Sequence, residues 1–301
     1  MKAVLLEGYG DVDQLRYVDV PTPVPGEGEV LIRMISASIN PVDSKVREGA
    51  MKDVTPLVFP AVLGYDVAGE VTALGPGVDH PRVGDKVMGL VDHSYAEYLT
   101  ARAVDLCPIP EGLDPQDAGV LPLILLTGTQ LIESGVQPKG AEVVLVTGAG
   151  GNVGRTAVYV AKQHGARVIA GVRAKQKAEA QSLGADSVVA TDDDAEIAAL
   201  PELDAIADTI DGETIGKLIP RLKKSGRLAT VLGKPAAAEK AGIDVRSVWS
   251  RPDPKRLFEM AEDVRDGKLK IPIAKRFTLS EIREAQRAAQ GGVAGKIALI
   301  P

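Results

Sequence analysis

The chain has 301 residues, of which 45% are hydrophobic and 25% are charged, with a formal net charge of −6 at pH 7. This length predicts about two domains of a soluble globular protein, and the acidic balance argues against a nucleic-acid or anionic membrane partner. A single cysteine excludes an internal disulfide framework and fits a reducing compartment. Because neither a membrane-spanning segment nor a signal-peptide pattern is present in the sequence, we expect a cytoplasmic protein.

Short β-type segments, separated by glycine and proline, fill the first third of the chain. The predicted strands are Lys2–Leu6, Leu15–Val20, Glu29–Ser38, Asp66–Leu74 and Asp85–Leu90. Closely spaced strands with glycine turns are typical of a compact antiparallel barrel or sandwich. This part of the chain is therefore predicted to be a β domain.

The strongest motif of the chain is a glycine-rich turn. The apolar run Val143–Val146 before it predicts a strand buried on both faces, and helical spacing predicts a helix over Asn152–His164 after it. The turn follows the pattern Ala149-x-Gly151-x-x-Gly154, with alanine where the pattern usually begins with glycine. Strand, glycine turn and helix in this order predict a dinucleotide pyrophosphate site at the helix N-terminus. A purely structural turn is the alternative.

The residues after the next predicted strand, Arg167–Val172, indicate which dinucleotide binds. An NAD site places an acidic residue about 20 positions past the glycines, where it bonds the ribose 2′-hydroxyl. Here that position holds Arg173, followed by Lys175 and Lys177, with no carboxylate before Glu179. An arginine can bind a 2′-phosphate through two charge-assisted hydrogen bonds, so we predict NADPH as the cofactor. A solvated basic helix start is the alternative.

The rest of the chain predicts four more strands with helices between them. These strands are Ser187–Ala190, Ala205–Thr209, Arg227–Leu232 and Ile243–Trp249. Six strands fit a doubly wound parallel sheet. The acidic run Asp192–Asp194 is predicted to cap the helix Ala195–Leu200 and not to bind metal. A helix over Ser280–Gln290, with Ser280 as its N-cap, and a strand over Lys296–Ile300 close the chain.

Short motifs spread along the whole chain occur in one order. They are Asn40-Pro-x-Asp43, Gly64-Tyr-Asp-Val-Ala-Gly-Glu-Val71, Val83-Gly-Asp-Lys-Val87, Tyr95-Ala-Glu-Tyr98, Leu121-Pro122 with Leu126-Thr127, Leu183-Gly-Ala-Asp186 and Gly295-Lys-Ile-Ala-Leu299. This ordered set resembles the zinc-independent medium-chain dehydrogenase/reductases of the quinone oxidoreductase group. The resemblance implies an α/β protein with a GroES-like β-barrel catalytic domain, residues 1–116 and 263–301. It also implies a Rossmann NADP-binding domain with a doubly wound parallel sheet, residues 117–262.

The resemblance implies roles for individual residues as well. Asn40 is expected to orient cofactor or substrate through its side-chain amide, with an Asx-type turn before Pro41 as an equal alternative. Trp249 is expected to wall the substrate pocket, unless it lies in the core or at a dimer interface. Apart from the resemblance, the charges of Asp43 and Lys45 predict a salt-linked barrel surface, with a position facing the cleft as the alternative. The expected cofactor-binding residues are Thr127, Gly151, Asn152, Val153, Gly154, Arg173, Lys177, Thr209, Leu232 and Gly233.

The sequence offers few metal ligands. Cys107 and the scattered His80, His93 and His164 are its only cysteine and histidines, and no C-x-x-C pair occurs. A catalytic zinc needs about three protein ligands, so we expect no metal and assign the histidines surface or structural roles, with a place at the border of the cleft as the alternative for His93.

Without a metal to polarise a ketone, hydride transfer to a conjugated acceptor is favoured. We therefore predict an NADPH-dependent oxidoreductase that reduces a small-molecule quinone or α,β-unsaturated carbonyl compound. By resemblance the protein is expected to be a homodimer, formed through the edge strand Ile243–Trp249. The alternative is an NADPH-binding sensor or adaptor of the same fold, because no proton donor is evident in the sequence.

Overall fold

The computed structural model describes residues 1–210 and 212–301. They form two compact units, one made of Met1–Leu123 with Pro252–Pro301 and the other of Ile124–Arg251. No helix in the described part of the chain is both long enough and apolar enough to cross a bilayer. The domain limits expected from the sequence, at residues 116/117 and 262/263, are not tested by this division into units and remain a prediction.

The first part of the chain is mostly β-structure. Its strands are β1 (Lys2–Leu6), β2 (Leu15–Asp19), β3 (Glu29–Ile39), β4 (Ala61–Val62), β5 (Asp66–Leu74), β6 (Lys86–Leu90), β7 (Tyr98–Arg102) and β8 (Leu106–Pro108). Its helices are α1 (Pro41–Arg47) and α2 (Pro115–Ala118). The predicted strands are confirmed to within a residue or so at their ends, and the short β4, β7 and β8 are additional.

The middle of the chain alternates strands and helices. The elements are α3 (Pro122–Gln130), β9 (Val143–Val146), α4 (Asn152–Gln163), β10 (Arg167–Val172), α5 (Lys177–Ala180), β11 (Ser187–Ala190), α6 (Asp194–Ala198), β12 (Leu203–Asp208), α7 (Glu213–Leu218), β13 (Leu222–Thr230), α8 (Ala236–Lys240) and β14 (Val245–Ser247). A π-helical segment, Leu131–Val136, continues from α3.

The strands of the second unit form one parallel sheet of six. Their order is β11-β10-β9-β12-β13-β14, and every neighbouring pair is parallel. The order reverses between β9 and β12, and doubly wound sheets bind their ligands at the carboxyl ends beside such a reversal. The predicted six-stranded sheet is confirmed. The sixth strand is shorter than predicted, because it ends at Ser247 and leaves Trp249 outside the sheet.

The end of the chain completes the first unit. Its elements are α9 (Pro254–Arg265), β15 (Ile273–Thr278), α10 (Ile282–Gln290) and β16 (Lys296–Ile300). The large sheet has the order β15-β16-β3-β5-β6-β8, with β7 also paired to β3, and the small sheet has the order β2-β1-β4. Only β15 and β16 pair in parallel among these strands. Alternate residues of β1, β3 and β5 point into one apolar core with Tyr95 and Leu299.

Two helix caps were predicted, and one is confirmed. The Asp193 carboxylate accepts hydrogen bonds from two backbone N–H groups in the first turn of α6, as expected for a cap. The prediction of Ser280 as a cap is wrong, because a short 3-10 turn precedes α10. Thr278 opens that turn, and its N–H donates to the Glu281 carboxylate at 2.8 Å. Thr278 and Glu281 therefore form a capping box whose first residue lies two positions before the predicted cap Ser280.

Candidate cofactor site and a buried polar cluster

The glycine-rich turn joins β9 to α4 in the second unit. Gly148 has a φ of +60°, and a Cβ there would lie 2.4 Å from the Thr209 hydroxyl oxygen. At Gly154 a Cβ would lie 2.2 Å from the Gly148 carbonyl oxygen, so only glycine lets α4 approach the turn this closely. Gly151 is the N-cap of α4. The first N–H groups of α4, which have no carbonyl in a preceding turn, therefore lie beside the carboxyl end of β9 and suit an anion.

The charge at the start of α4 also suits an anion. The helix begins with Asn152 and Val153 and has no acidic residue in its first turn. Arg155 is buried in that turn, where its Nη2 donates to the Gly150 carbonyl oxygen at 2.9 Å and lies 3.7 Å from a Glu179 carboxylate oxygen. Because a cation at a helix N-terminus opposes the macrodipole, an anion bound beside Arg155 would offset that cost.

The two cations predicted for the 2′-phosphate have different surroundings. Arg173 follows β10 directly and is exposed, with its backbone N–H 3.4 Å from the Gln176 side-chain oxygen. Lys177 instead donates to both carboxylate oxygens of Glu196, at 2.7 and 2.8 Å. Lys177 would have to leave this ion pair to bind a phosphate, so Arg173 is the better placed of the two predicted ligands.

A buried carboxylate joins the carboxyl ends of β9, β12 and β13. Asp208 accepts hydrogen bonds from the hydroxyls of Thr147 and Thr230, at 2.8 and 2.9 Å. The Thr147 hydroxyl oxygen accepts the Thr209 N–H at 2.9 Å, and the Thr209 hydroxyl donates to the Thr147 carbonyl at 2.7 Å. The Thr230 hydroxyl oxygen accepts the Leu232 N–H at 3.1 Å. Two predicted cofactor residues, Thr209 and Leu232, are thus held in place through Asp208.

Asp208 received no role from the sequence, although a signal was present. A carboxylate directly after the apolar residues Ala205, Ile206 and Ala207 is unusual unless it has partners, because an unpaired buried charge is costly. That reasoning identifies Asp208 as a structural or functional residue of the strand end, but the identity of its threonine partners depends on the sheet order.

The remaining predicted residues of the second unit differ in how exposed they are to solvent. Thr127, on α3, is almost buried and shares a short hydrogen bond with the hydroxyl of Ser250. Gly233 follows Leu232, and a Cβ added to it would have no neighbouring atom within 4 Å. Trp249 is 61% exposed, so its placement in the core is wrong, while its role in a substrate pocket stays a prediction.

In the first unit, the Asn40 side chain lies in a buried polar cluster. Asn40 is 1% exposed; its Nδ2 donates to Asp66 at 2.7 Å, and its Oδ1 accepts from the Lys296 ammonium at 2.6 Å. The Ser38 hydroxyl donates to the same oxygen of Asp66. The Asn40 amide is therefore bonded to side chains of the neighbouring strands β5 and β16. Asn40 is also the N-cap of α1, so the Asx-type turn before Pro41 stays an alternative.

Lys296 is an ionisable group that sequence reasoning left without a role. It is 3% exposed, and its ammonium also donates to the Ile39 carbonyl at 3.2 Å and lies 3.7 Å from Asp66. Burial lowers the pKa of Lys296, whereas Asp66 and Asp43 act in the opposite direction. The sequence marked Lys296 only as part of a family motif, because nothing local shows that it faces the end of β3.

Asp43 is also buried, so its expected place on a salt-linked surface is wrong. Its carboxylate accepts the Asn40 backbone N–H at 2.6 Å, as an acidic residue at the third helical position does in a capping box. Burial raises the pKa of Asp43 to about 7; the Asn40 N–H and the Tyr95 hydroxyl oppose this rise, and Asp66 adds to it. Lys45, by contrast, is exposed as expected.

The described residues contain no group of three or more His, Cys, Asp or Glu side chains that could hold a metal ion. Cys107 is buried, and burial raises the pKa of its thiol to about 12. His93 is exposed, with Nδ1 2.8 Å from the Val62 carbonyl oxygen, and His164 Nε2 lies 3.2 Å from a Glu133 carboxylate oxygen. The absence of zinc remains a prediction.

Comparison with known proteins identifies the class. Residues 26–111 match the family model of the alcohol dehydrogenase GroES-like domain, and residues 183–299 match that of the zinc-binding dehydrogenases. A chloroplastic quinone oxidoreductase from Triphysaria versicolor is 30% identical over 100% of this chain and 98% of its own. An NADPH-dependent alkenal/one oxidoreductase from Arabidopsis thaliana is 33% identical over 77% of this chain and 63% of its own.

A solved structure gives the same answer for the fold. The quinone oxidoreductase from Coxiella burnetii superposes with a TM-score of 0.90 at 30% identity, covering 100% of this chain and 99% of its own. The chain therefore belongs to the medium-chain dehydrogenase/reductase superfamily, within its quinone oxidoreductase group. The predicted family and the predicted α/β fold with GroES-like and Rossmann domains are both confirmed.

Proposed function

We propose that this protein is an NADPH-dependent reductase of quinones or α,β-unsaturated carbonyl compounds that works without zinc. The observation that carries the proposal is the glycine turn at the reversal point of the six-stranded sheet, with Arg173 at the end of the adjacent strand. The names of the relatives, quinone oxidoreductase and alkenal/one oxidoreductase, support this class of acceptor.

The residues of the second unit fit a dinucleotide. The turn before α4 would hold the pyrophosphate, Arg173 the 2′-phosphate, and the strand ends at Thr209, Leu232 and Gly233 the rest of the cofactor, with Thr127 nearby on α3. When bound, NADPH supplies a hydride, and a quinone or enone can delocalise the electron pair without a Lewis acid. Asn40 keeps its predicted role within this proposal, and Trp249 keeps two alternatives, a wall of the substrate pocket or a residue of a dimer interface.

The chemistry around Asn40 supports a metal-free site. By family resemblance, Asn40 stands where the zinc enzymes carry a ligand cysteine, yet its Oδ1 already accepts from the Lys296 ammonium. A fixed cation at this distance repels a divalent ion and occupies the oxygen that could ligate it. We expect metal analysis of the purified protein to find no stoichiometric zinc; one equivalent of zinc would overturn this part of the proposal.

The activity is tested by following NADPH absorbance with benzoquinone, phenanthrenequinone and an alkenal as acceptors, and with NADH as the comparison cofactor. We expect turnover with NADPH, and the preferred acceptor then defines the substrate class. If NADPH binds stoichiometrically but no acceptor is reduced, the sensor or adaptor interpretation replaces the reductase.

Replacing Arg173 with alanine is expected to weaken NADPH binding by about tenfold or more, because a charge-assisted contact contributes about 1.5–3 kcal/mol. NADH binding should hardly change, since NADH lacks the 2′-phosphate. The measurement is cofactor affinity by fluorescence. Arg167→Ala, at the opposite end of the same strand β10, is the matched control and should leave both affinities unchanged. Equal losses for both cofactors would show that Arg173 supports the fold instead.

We also propose a homodimer formed through β14, which is an edge strand of its sheet and lies close in sequence to the exposed Trp249. An exposed edge with a large apolar residue beside it favours pairing with a second copy. Sedimentation should show a dimer, and Trp249→Lys should shift it toward monomer. The control is Val104→Lys, which changes an exposed apolar residue of the first unit. A wild-type monomer at micromolar concentration would end the dimer proposal.

A further inference from the structure

The hydrogen bonds to the Asn40 side chain determine which end of its amide is the donor and which is the acceptor. The two ends of an asparagine amide have nearly the same shape but opposite hydrogen-bonding character. An ammonium can only donate and an ionised carboxylate can only accept. Lys296 and Asp66 therefore hold the Asn40 amide in a single orientation, with Oδ1 toward Lys296 and Nδ2 toward Asp66.

The strand register builds this arrangement. The pairing of β16 with β3 brings Lys296 opposite Asn40, and the pairing of β5 with β3 brings Asp66 opposite Ser38. Lys296 and Asp66 thus reach Asn40 from the two strands that flank β3. All three side chains are at most 3% exposed, so water does not compete for their hydrogen bonds.

We propose that Lys296 and Asp66 are positioning residues of the reductase, and that they act by fixing the Asn40 amide at the junction between β3 and α1. This inference rests on the proposed function, because it assigns the two residues to the same reaction. Neither side chain needs to touch cofactor or substrate. Their effect is to keep the Asn40 amide in one orientation, so that reorienting it does not add to the activation free energy.

The test uses a variant that leaves no unpaired charge. Lys296→Met alone would strand the buried Asp66 carboxylate, and that loss of stability would obscure the result. The double variant Lys296→Met/Asp66→Asn removes both charges together and keeps the two side-chain sizes similar. Lys275→Met, an exposed lysine of the neighbouring strand β15, is the matched control.

The first readout is the side-chain amide NMR signal of Asn40, assigned by its absence from the spectrum of Asn40→Asp. In the folded double variant this signal should move, because its acceptor and its ammonium neighbour have changed, while the signals of the second unit stay in place. Lys275→Met should not move it. An unmoved Asn40 signal in the double variant would overturn the proposal, and this readout does not depend on any activity.

The second readout is kinetic. For the double variant we expect kcat to fall about 10–100-fold, as misplacement of a reacting group can cause, while the affinity for NADPH changes by less than about twofold. Adding Asn40→Ala to the double variant should cause no further loss, because residues that act through one another are not additive. Parallel losses of rate, NADPH affinity and melting temperature, or fully additive losses, would show a merely structural role.

The two proposals can fail separately. A wild-type protein that reduces no acceptor would overturn the proposed function. The NMR experiment would still test whether Lys296 and Asp66 hold the Asn40 amide in one orientation.

Discussion

Replacing Asp43 with asparagine is expected to stabilise the protein above neutral pH. Burial raises the pKa of this carboxyl from its usual 3.8 to about 7, so the folded chain keeps a proton that the unfolded chain releases between these values. The contribution of Asp43 to stability is therefore complete below its unfolded pKa and is lost as pH rises through about 7. A rise of the pKa from 3.8 to about 7 corresponds to a loss of about 4 kcal/mol of stability at alkaline pH, which a neutral amide at this position would not suffer.

The other ionisable groups near Asp43 do not change the direction of this pH dependence of stability. Asp66 raises the pKa of Asp43 and Lys296 lowers it, but desolvation is the largest cause. Burial also raises the pKa of Tyr65 to about 12 and that of Tyr95 well above its usual value, so both phenols stay neutral through this range. An asparagine at position 43 can still accept the Asn40 N–H, so the cap is retained.

The measurement is the free energy of unfolding in urea for wild type and Asp43→Asn across the range from about pH 5 to about pH 8. The difference between the two proteins isolates Asp43 from every other titrating group. It should grow in favour of the variant as pH rises. Asp53→Asn, an exposed carboxylate of the same unit, should give a constant difference. A constant difference for Asp43→Asn as well would mean that Asp43 is ionised throughout this range.

Replacing Asp208 with alanine is expected to loosen the strand ends that we assign to the cofactor. The change removes the acceptor for the Ile210 N–H and for the hydroxyls of Thr147 and Thr230, and the two hydroxyls are left without this acceptor in a buried place. Unsatisfied buried donors and lost bonds to a charged group predict a destabilisation of about 2–4 kcal/mol. Because Thr209 and Leu232 are held through this network, NADPH affinity should fall by about tenfold or more as well.

A matched control lies on the same strand. Asp204, at the other end of β12, accepts from the Val143 N–H at 2.9 Å and from the Lys223 ammonium at 2.6 Å. Asp204→Ala should lower the free energy of unfolding without changing NADPH affinity, because it lies far from the carboxyl ends of the strands. If both variants lose affinity equally, or if Asp208→Ala loses none, the assignment of these strand ends to the cofactor is wrong.

The parts of the fold that follow local rules were predictable from the sequence. The glycine turn, β9, α4 and β10 lie within about 30 consecutive residues of one βαβ unit, where apolar periodicity and glycine spacing are sufficient. The Asp193 cap is equally local. Helix and strand ends were less certain, since the cap of α10 depends on a short 3-10 turn that apolar periodicity does not reveal.

The buried cluster of the first unit was not predictable in the same way. Lys296 lies 256 residues from Asn40 in the sequence, and the two meet only because β16 pairs with β3 in one register. The burial of Asp43 has the same origin, because whether a charged residue of a short helix faces solvent depends on the sheet beneath it. The pattern of apolar residues in one sequence predicts which face of a helix or strand is buried. It does not predict which residues of neighbouring elements contact that face.

The position of Lys296 also constrains how this protein is made. During synthesis the N-terminal residues leave the ribosome first, and Asp66 emerges long before the lysine that pairs with it. Until the last strand appears, residues 37–39 of β3 have no partner on the edge that β7 pairs only over residues 29–33, and the buried carboxylate of Asp66 has no counter-ion. The first unit to emerge is therefore the last to be completed, and a nascent or truncated chain that lacks its final residues exposes an open sheet edge, which invites aggregation and capture by chaperones.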